Sequence, residues 1–164
     1  MVFDNKKVYL LLGSNLGDRE QLIVEAIALI NSEIGEVFIR SSVYETAAWG
    51  KEDQPSFLNV ALGAKTKLAP IEVLKIALKI EQELGRVRHE KWGARLIDID
   101  IIFYDDIVVD MGAELQIPHP QMQYRKFVLE PLAEIAADYI HPVLKITVRE
   151  VLERLQDNLS VSRI

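Results

Sequence analysis

Asp98 and Asp100 stand two residues apart in the segment Leu96-Ile97-Asp98-Ile99-Asp100-Ile101-Ile102-Phe103, a run of branched apolar residues that reads as a β-strand. Side chains alternate along a strand, so the two carboxylates point the same way, and Ile97, Ile99, Ile101 and Phe103 are expected to line the opposite, core-facing side. Two like charges held so close are unfavourable unless a cation or a shared proton relieves them. Hard oxygen donors in a chain without cysteine favour Mg²⁺ over softer metals. The pattern predicts a magnesium site serving a phosphorylated substrate.

The segment just before this strand carries Arg86, Arg88, Lys91 and Arg95 against one acid, Glu90. It is either a solvated charged loop or the set of cations that a polyphosphate needs around it. Further along, His119 lies between Pro118 and Pro120, with Arg125 and Phe127 following. A histidine held in that stiff extended setting suits a donor to phosphate, and it suits a surface turn equally well. Phe57 and Asn59 share one face at the start of another β-prone run. A flat heteroaromatic ligand would stack on the ring and hydrogen-bond to the amide, whereas core packing is the ordinary fate of a strand phenylalanine. Gly13 to Gly17 lacks the Gly-Lys-Ser/Thr ending of a phosphate loop and reads as a tight turn before a helix cap.

Elements must hold these residues in place. Residues 7–12 form a buried strand, and the turn ending at Asp18 starts a helix with Leu22, Ala26, Ile27, Leu29, Ile30 and Ile34 at helical spacing, stopped by Gly35. Residues 37–45 and 57–66 are β-prone. Pro70 suits a first helical position, with Gly85 as the expected cap. The aspartate strand follows, then a short strand near residues 107–109. Residues 126–136 read as a helix shortened or bent by Pro131, and Thr147 with Glu150 has capping-box spacing before a last helix carrying Val151, Leu152 and Leu155. The order β-α-β-β-α-β predicts an α+β, ferredoxin-like sandwich with an added hairpin or strand and C-terminal helices.

The 164 residues suit a single domain spanning 1–164. With 49% hydrophobic and 27% charged residues the composition is that of an ordinary soluble protein. The lack of cysteine is compatible with a cytoplasmic location, no run has membrane-spanning length, and the amino terminus shows no secretory signal. A net charge of −6 argues against nucleic acid as a partner.

The ordered set Gly13-Ser14-Asn15-Leu16-Gly17, Asp53-Gln54-Pro55, Phe57-Leu58-Asn59, Glu81, Gly85-Arg86-Val87-Arg88, Trp92-Gly93, Arg95, Asp98-Ile99-Asp100, Pro118-His119 and Phe127-Val128-Leu129 resembles the 6-hydroxymethyl-7,8-dihydropterin pyrophosphokinase family of folate biosynthesis. The resemblance runs over residues 8–135. It implies a monomer of ferredoxin-like fold that moves the terminal diphosphate of ATP onto the pterin hydroxymethyl group and releases AMP. It implies two Mg²⁺ ions on Asp98 and Asp100, with Arg95 and both aspartates as catalytic residues. It implies ATP contacts from Arg86, Arg88, Trp92, Arg95, Ile101, His119 and Arg125, and a pterin site formed by Thr46, Ala47, Trp49, Phe57, Asn59 and Phe127. Ala47 and Ala48 depart from the prolines common at those positions, which leaves the pterin loop less stiff before ligand arrives. Lys91 and Glu114 receive no role. Rival readings are another metal-dependent phosphotransferase, which would not need the aromatic residues, and a non-catalytic ligand-binding domain, which would tolerate loss of either aspartate.

Overall fold

The computed structural model describes residues 5–15, 17–46, 56–86, 96–156 and 160–164. Strand β1 (Lys6–Ser14) is central and buried on both sides from Val8 to Leu12, as its unbroken apolar run requires. It pairs antiparallel with β4 (Phe57–Thr66) on one side and with β5 (Asp98–Tyr104) on the other. The segment expected as one strand over 37–45 is divided in two. Strand β2 (Gly35–Arg40) pairs with the second half of β4, and β3 (Tyr44–Thr46) pairs with its first residues. Between them Ser41 fills the break: its Oγ accepts from Ala61 N and donates to Ser42 O.

Helices α1 (Arg19–Glu33) and α2 (Pro70–Arg86) cover one face of the sheet. Their Leu22, Ala26, Ile30, Val73, Ala77 and Ile80 pack on Leu10, Leu12, Val60 and Leu62. Helices α3 (Lys126–Ala136) and α4 (Val148–Arg154) cover the other face, where Val128, Leu129, Leu132, Val148 and Val151 meet Tyr9, Leu11 and Ala61. The sheet thus carries a core on each side, built from alternate residues of the same strands. A small hairpin, β6 (Val109–Asp110) with β7 (Gln116–Ile117), follows β5. A last strand, β8 (Val161–Arg163), pairs outside β3. Among the described residues no helix is long and apolar enough to cross a membrane.

The helix signals behave as their chemistry dictates at the starts. Asp18 Oδ1 accepts from Gln21 N at 3.1 Å, Pro70 opens α2, and Thr147 and Glu150 form a reciprocal capping box before α4. At the ends, α1 stops before Gly35 as expected, with Ile34 as its cap and Gly35 opening β2 opposite Thr66. Gly85 lies inside α2, one residue before its end. Helix α3 continues through Pro131, which removes only the bond to the Phe127 carbonyl.

Phe103 is also corrected. The β1–β5 register shifts between Tyr9 and Leu10, so that Tyr9 faces Phe103 while Leu10 faces Ile101, and Ile102 is the extra residue. Such a bulge reverses the alternation beyond it. Ile97, Ile99 and Ile101 lie in the α1/α2 core as expected, whereas Phe103 turns to the α3/α4 core beside Tyr9.

Candidate active site

Four strands place one row of residues across the α3-side face. Asp98 of β5 is paired with Gly13 of β1, Gly13 with Asn59 of β4, and Asn59 with Tyr44 of β3. With strands about 4.8 Å apart, Asp98 and Asn59 are separated by roughly 10 Å. Between them Gly13 contributes no side chain, and a Cβ there would lie 3.0 Å from Asn59 Oδ1. The row is therefore a carboxylate, a gap, an amide and an aromatic ring. Asn59 is only 2% exposed, and its Nδ2 donates to Thr46 Oγ at 3.2 Å, which fixes the amide. Phe57 is paired with Thr46 and half-buried on the same face.

Asp98 and Asp100 share this face and are partly buried. Between them, Ile99 N–H points out of the sheet edge and donates to Glu81 Oε2 of α2 at 2.7 Å. A charge-assisted bond at that atom holds the Asp-x-Asp backbone against α2. Among the described residues no third Asp, Glu or His joins the pair in a cluster able to hold a metal. That fits Mg²⁺, which commonly takes one or two carboxylates and fills its other positions with water and phosphate oxygens.

The bulge in β5 also sets His119. The carbonyl of the extra residue, Ile102, accepts from His119 N at 3.1 Å. His119 Nδ1 accepts from Gln121 N, so the neutral ring carries its hydrogen on Nε2. Burial holds this imidazole below the ordinary histidine range; the Asp100 carboxylate pulls it back up and the Arg125 guanidinium pushes it down. Asp100 and Arg125 thus both act on His119. Beside them, Leu74, Ile99, Asp100, Ile101, Glu114 and His119 help to line a cavity of about 310 Å³. Arg125 lies with its guanidinium 5.8 Å from the Phe127 ring centre, a cation–π distance, and Phe127 packs half-buried at the start of α3.

Of the expected residues, the sheet register places Thr46, Phe57, Asn59, Asp98 and Asp100 on one face, Asp100 and Arg125 act on His119, Arg125 lies beside Phe127, and Ile101 turns to the α1/α2 core while bordering the cavity. The expected contributions of Ala47, Trp49, Arg88, Trp92 and Arg95 lie outside the described residues, as does the Arg86 side chain. Glu81 belongs to the quoted motif set but had no role in the sequence reading. Helical periodicity puts it on the sheet-facing side of α2, four positions after the buried Ala77 and three before the buried Leu84. Glu114, left without a role, borders the cavity.

A family model described as 7,8-dihydro-6-hydroxymethylpterin-pyrophosphokinase (HPPK) matches residues 9–137. The 2-amino-4-hydroxy-6-hydroxymethyldihydropteridine pyrophosphokinase of Aquifex aeolicus is 46% identical over 143 residues, covering 87% of this chain and 88% of its own. The protein of the same name from Bacillus subtilis is 45% identical over 132 residues, covering 80% of this chain and 78% of its own. In fold, the chain is similar to a Plasmodium falciparum HPPK-DHPS crystal structure with pteroate, at a TM-score of 0.76 and 17% identity over 94% of this chain. This chain spans 45% of that longer one.

Proposed function

This chain belongs to the 7,8-dihydro-6-hydroxymethylpterin-pyrophosphokinase family, and on that premise we propose how its residues carry the pyrophosphokinase reaction of folate biosynthesis. ATP is the co-substrate. The oxygen of the 6-hydroxymethyl group bonds to the β-phosphorus of ATP as the bond from that phosphorus to the α–β bridging oxygen breaks. AMP leaves with the bridging oxygen, and the hydroxyl proton passes to solvent or to the Asp100 carboxylate.

The observation that carries this reading is the cross-sheet row, with a carboxylate and an amide on either side of the Gly13 gap. In the proposed arrangement Asn59 and Thr46 read the pterin edge while Phe57 and Phe127 sandwich its ring. Ile101 and the rest of the cavity wall receive the nucleotide. His119 and Arg125 donate to phosphate oxygens. An arriving phosphate favours protonation of His119, which burial otherwise opposes. Arg86, Arg88 and Arg95 complete the grip on the polyphosphate, and Trp92 and Trp49 contribute apolar contact to the nucleotide and pterin respectively. Asp98 and Asp100 would hold Mg²⁺, two ions in this proposal, whose chemistry is to neutralise phosphate charge and align the transferring group. Positioning by the chain supplies the rest.

The strand order β5-β1-β4 with β2 outside β4 and both α1 and α2 on one face supports the ferredoxin-like description. We also propose that the chain acts as a single-domain monomer in the cytoplasm.

The test is to mix the protein with Mg-ATP and 6-hydroxymethyl-7,8-dihydropterin and identify the adenine nucleotide released, with Asp100→Ala alongside. AMP that appears only with pterin and is lost in the variant supports diphosphate transfer. ADP would point to a simple phosphotransferase. Pterin binding without turnover would leave a binding domain.

A further inference from the structure

Glu134 lies outside the site described so far, yet its carboxylate is the meeting point of three elements. Its Oε1 accepts from the Tyr44 hydroxyl at 2.6 Å, and its Oε2 accepts from Ser42 N at 3.0 Å and Ser42 Oγ at 3.1 Å. Arg163 Nη2 of β8 is 3.3 Å from Oε1 and also donates to the Tyr44 hydroxyl at 3.1 Å. We propose that Glu134 is a positioning residue for the pterin slot, a reading that rests on the function proposed above. By holding Tyr44 and Arg163 it fixes α3, which carries Phe127, against β3 and β4, which carry Thr46, Phe57 and Asn59.

Helix geometry makes the connection direct. Glu134 follows Phe127 by seven residues, so the two sit on one side of α3 about two turns, roughly 10 Å, apart. Tyr44 is the pairing partner of Asn59 and precedes Thr46 by two residues, which puts it on the same face of the sheet. The network therefore joins the two supports that would flank a flat ring. Burial alone would raise the Glu134 carboxyl, but the bonds from Tyr44 and Ser42 and the charge of Arg163 outweigh it and hold the group below the ordinary carboxylate range. Burial, with the Glu134 carboxylate adding to it, raises Tyr44, which keeps its hydroxyl a donor. Strand β8 closes the arrangement: Arg163 is the pairing partner of Tyr44, and its guanidinium is 5.7 Å from the Tyr44 ring centre.

The experiment measures two affinities in Glu134→Gln, Arg163→Gln and the unaltered protein. One is for 6-hydroxymethyl-7,8-dihydropterin with Mg²⁺ and a non-hydrolysable ATP analogue present. The other is for the Mg-bound analogue alone. Glu134→Gln is expected to weaken pterin binding by about tenfold, equivalent to one charge-assisted hydrogen bond, with the nucleotide affinity unchanged. Arg163→Gln, at an exposed side chain where folding is not at risk, is expected to weaken pterin by about two- to threefold. A folded Glu134→Gln with unaltered pterin affinity overturns the proposal, as does equal weakening of both ligands. If Glu134→Gln does not fold, the same criteria applied to Arg163→Gln decide it. An unaltered protein that binds no pterin overturns the functional reading, and the positioning role with it. Pterin binding by the unaltered protein beside an unaffected variant removes the positioning role alone.

Discussion

The α3-side face of the sheet has two glycine gaps with opposite fates. At one end Gly63 of β4 leaves room beside the Phe38 ring, and a Cβ there would lie 2.8 Å from Phe38 Cζ. Phe38 joins Tyr9, Phe103 and Tyr139 in a set of edge-on and tilted aromatic contacts. At the other end Gly13 is paired with Asp98 on one side and Asn59 on the other, and the atom nearest a Cβ there is the Asn59 amide oxygen. The same strands and the same face produce a closed aromatic core in one place and a candidate ligand cleft in the other. The difference lies in what borders the missing side chain: rings that interlock, or carboxylate and amide groups, which are polar.

The largest effect is expected at the open end. Asp100→Ala should lower AMP formation at least about a hundredfold while leaving the unfolding midpoint close to that of the unaltered protein. Loss of stability comparable to a core substitution would erase the distinction between the two ends. At the closed end Phe103→Ala should cost about 3–5 kcal/mol in chemical denaturation, because the ring is fully buried against Tyr9 and Tyr139.

Adding a methyl group sharpens the contrast. Gly63→Ala should cost about 1–3 kcal/mol through Phe38 and Ile39, whose Cγ2 would be equally close, with pterin affinity preserved. Gly13→Ala crowds a side-chain amide oxygen instead and should weaken pterin in titration calorimetry more than it lowers stability.

The smallest effect is a pH dependence from the closed end. His141 is 4% exposed, its Nδ1 accepts from Val143 N and Leu144 N, and its Nε2 has no hydrogen-bond partner among the described residues. Burial holds its pKa below the ordinary histidine value of about 6.5. Between the folded and unfolded pKa values the unfolded chain binds more protons. The contribution is therefore complete above about pH 6.5 and is lost as pH falls towards the folded pKa. His119, also lowered, adds in the same direction. Denaturation curves recorded across that window should show this fall, and His141→Asn, which keeps an acceptor near the Nδ1 position, should make it shallower. An unchanged slope in that variant would assign the effect elsewhere.

Several features of the candidate site and of the fold were legible because strand periodicity and side-chain chemistry are local. The paired aspartates, the shared face of Phe57 and Asn59, and the caps at Asp18, Pro70 and Thr147 all follow from spacing within a few residues. The bulge at Ile102 was not legible. Nothing in Asp98-Ile99-Asp100-Ile101-Ile102-Phe103 distinguishes an even strand from one that slips by a residue; the slip exists only in register with β1. The final strand was equally hidden, since Val161–Arg163 is too short to announce itself and is a strand because β3 offers a free edge.

By itself the sequence determined the donor types, their spacing and the order of β1, α1, β4, α2 and β5, because alternation and helical repeat depend on neighbours in the chain. Only tertiary structure decided that Asp98, Gly13, Asn59, Tyr44 and Arg163 form one row, and that Glu134 reaches across from α3 to grip it. Those relations join residues up to 119 positions apart, and they are set by strand register and helix docking, which no local pattern encodes.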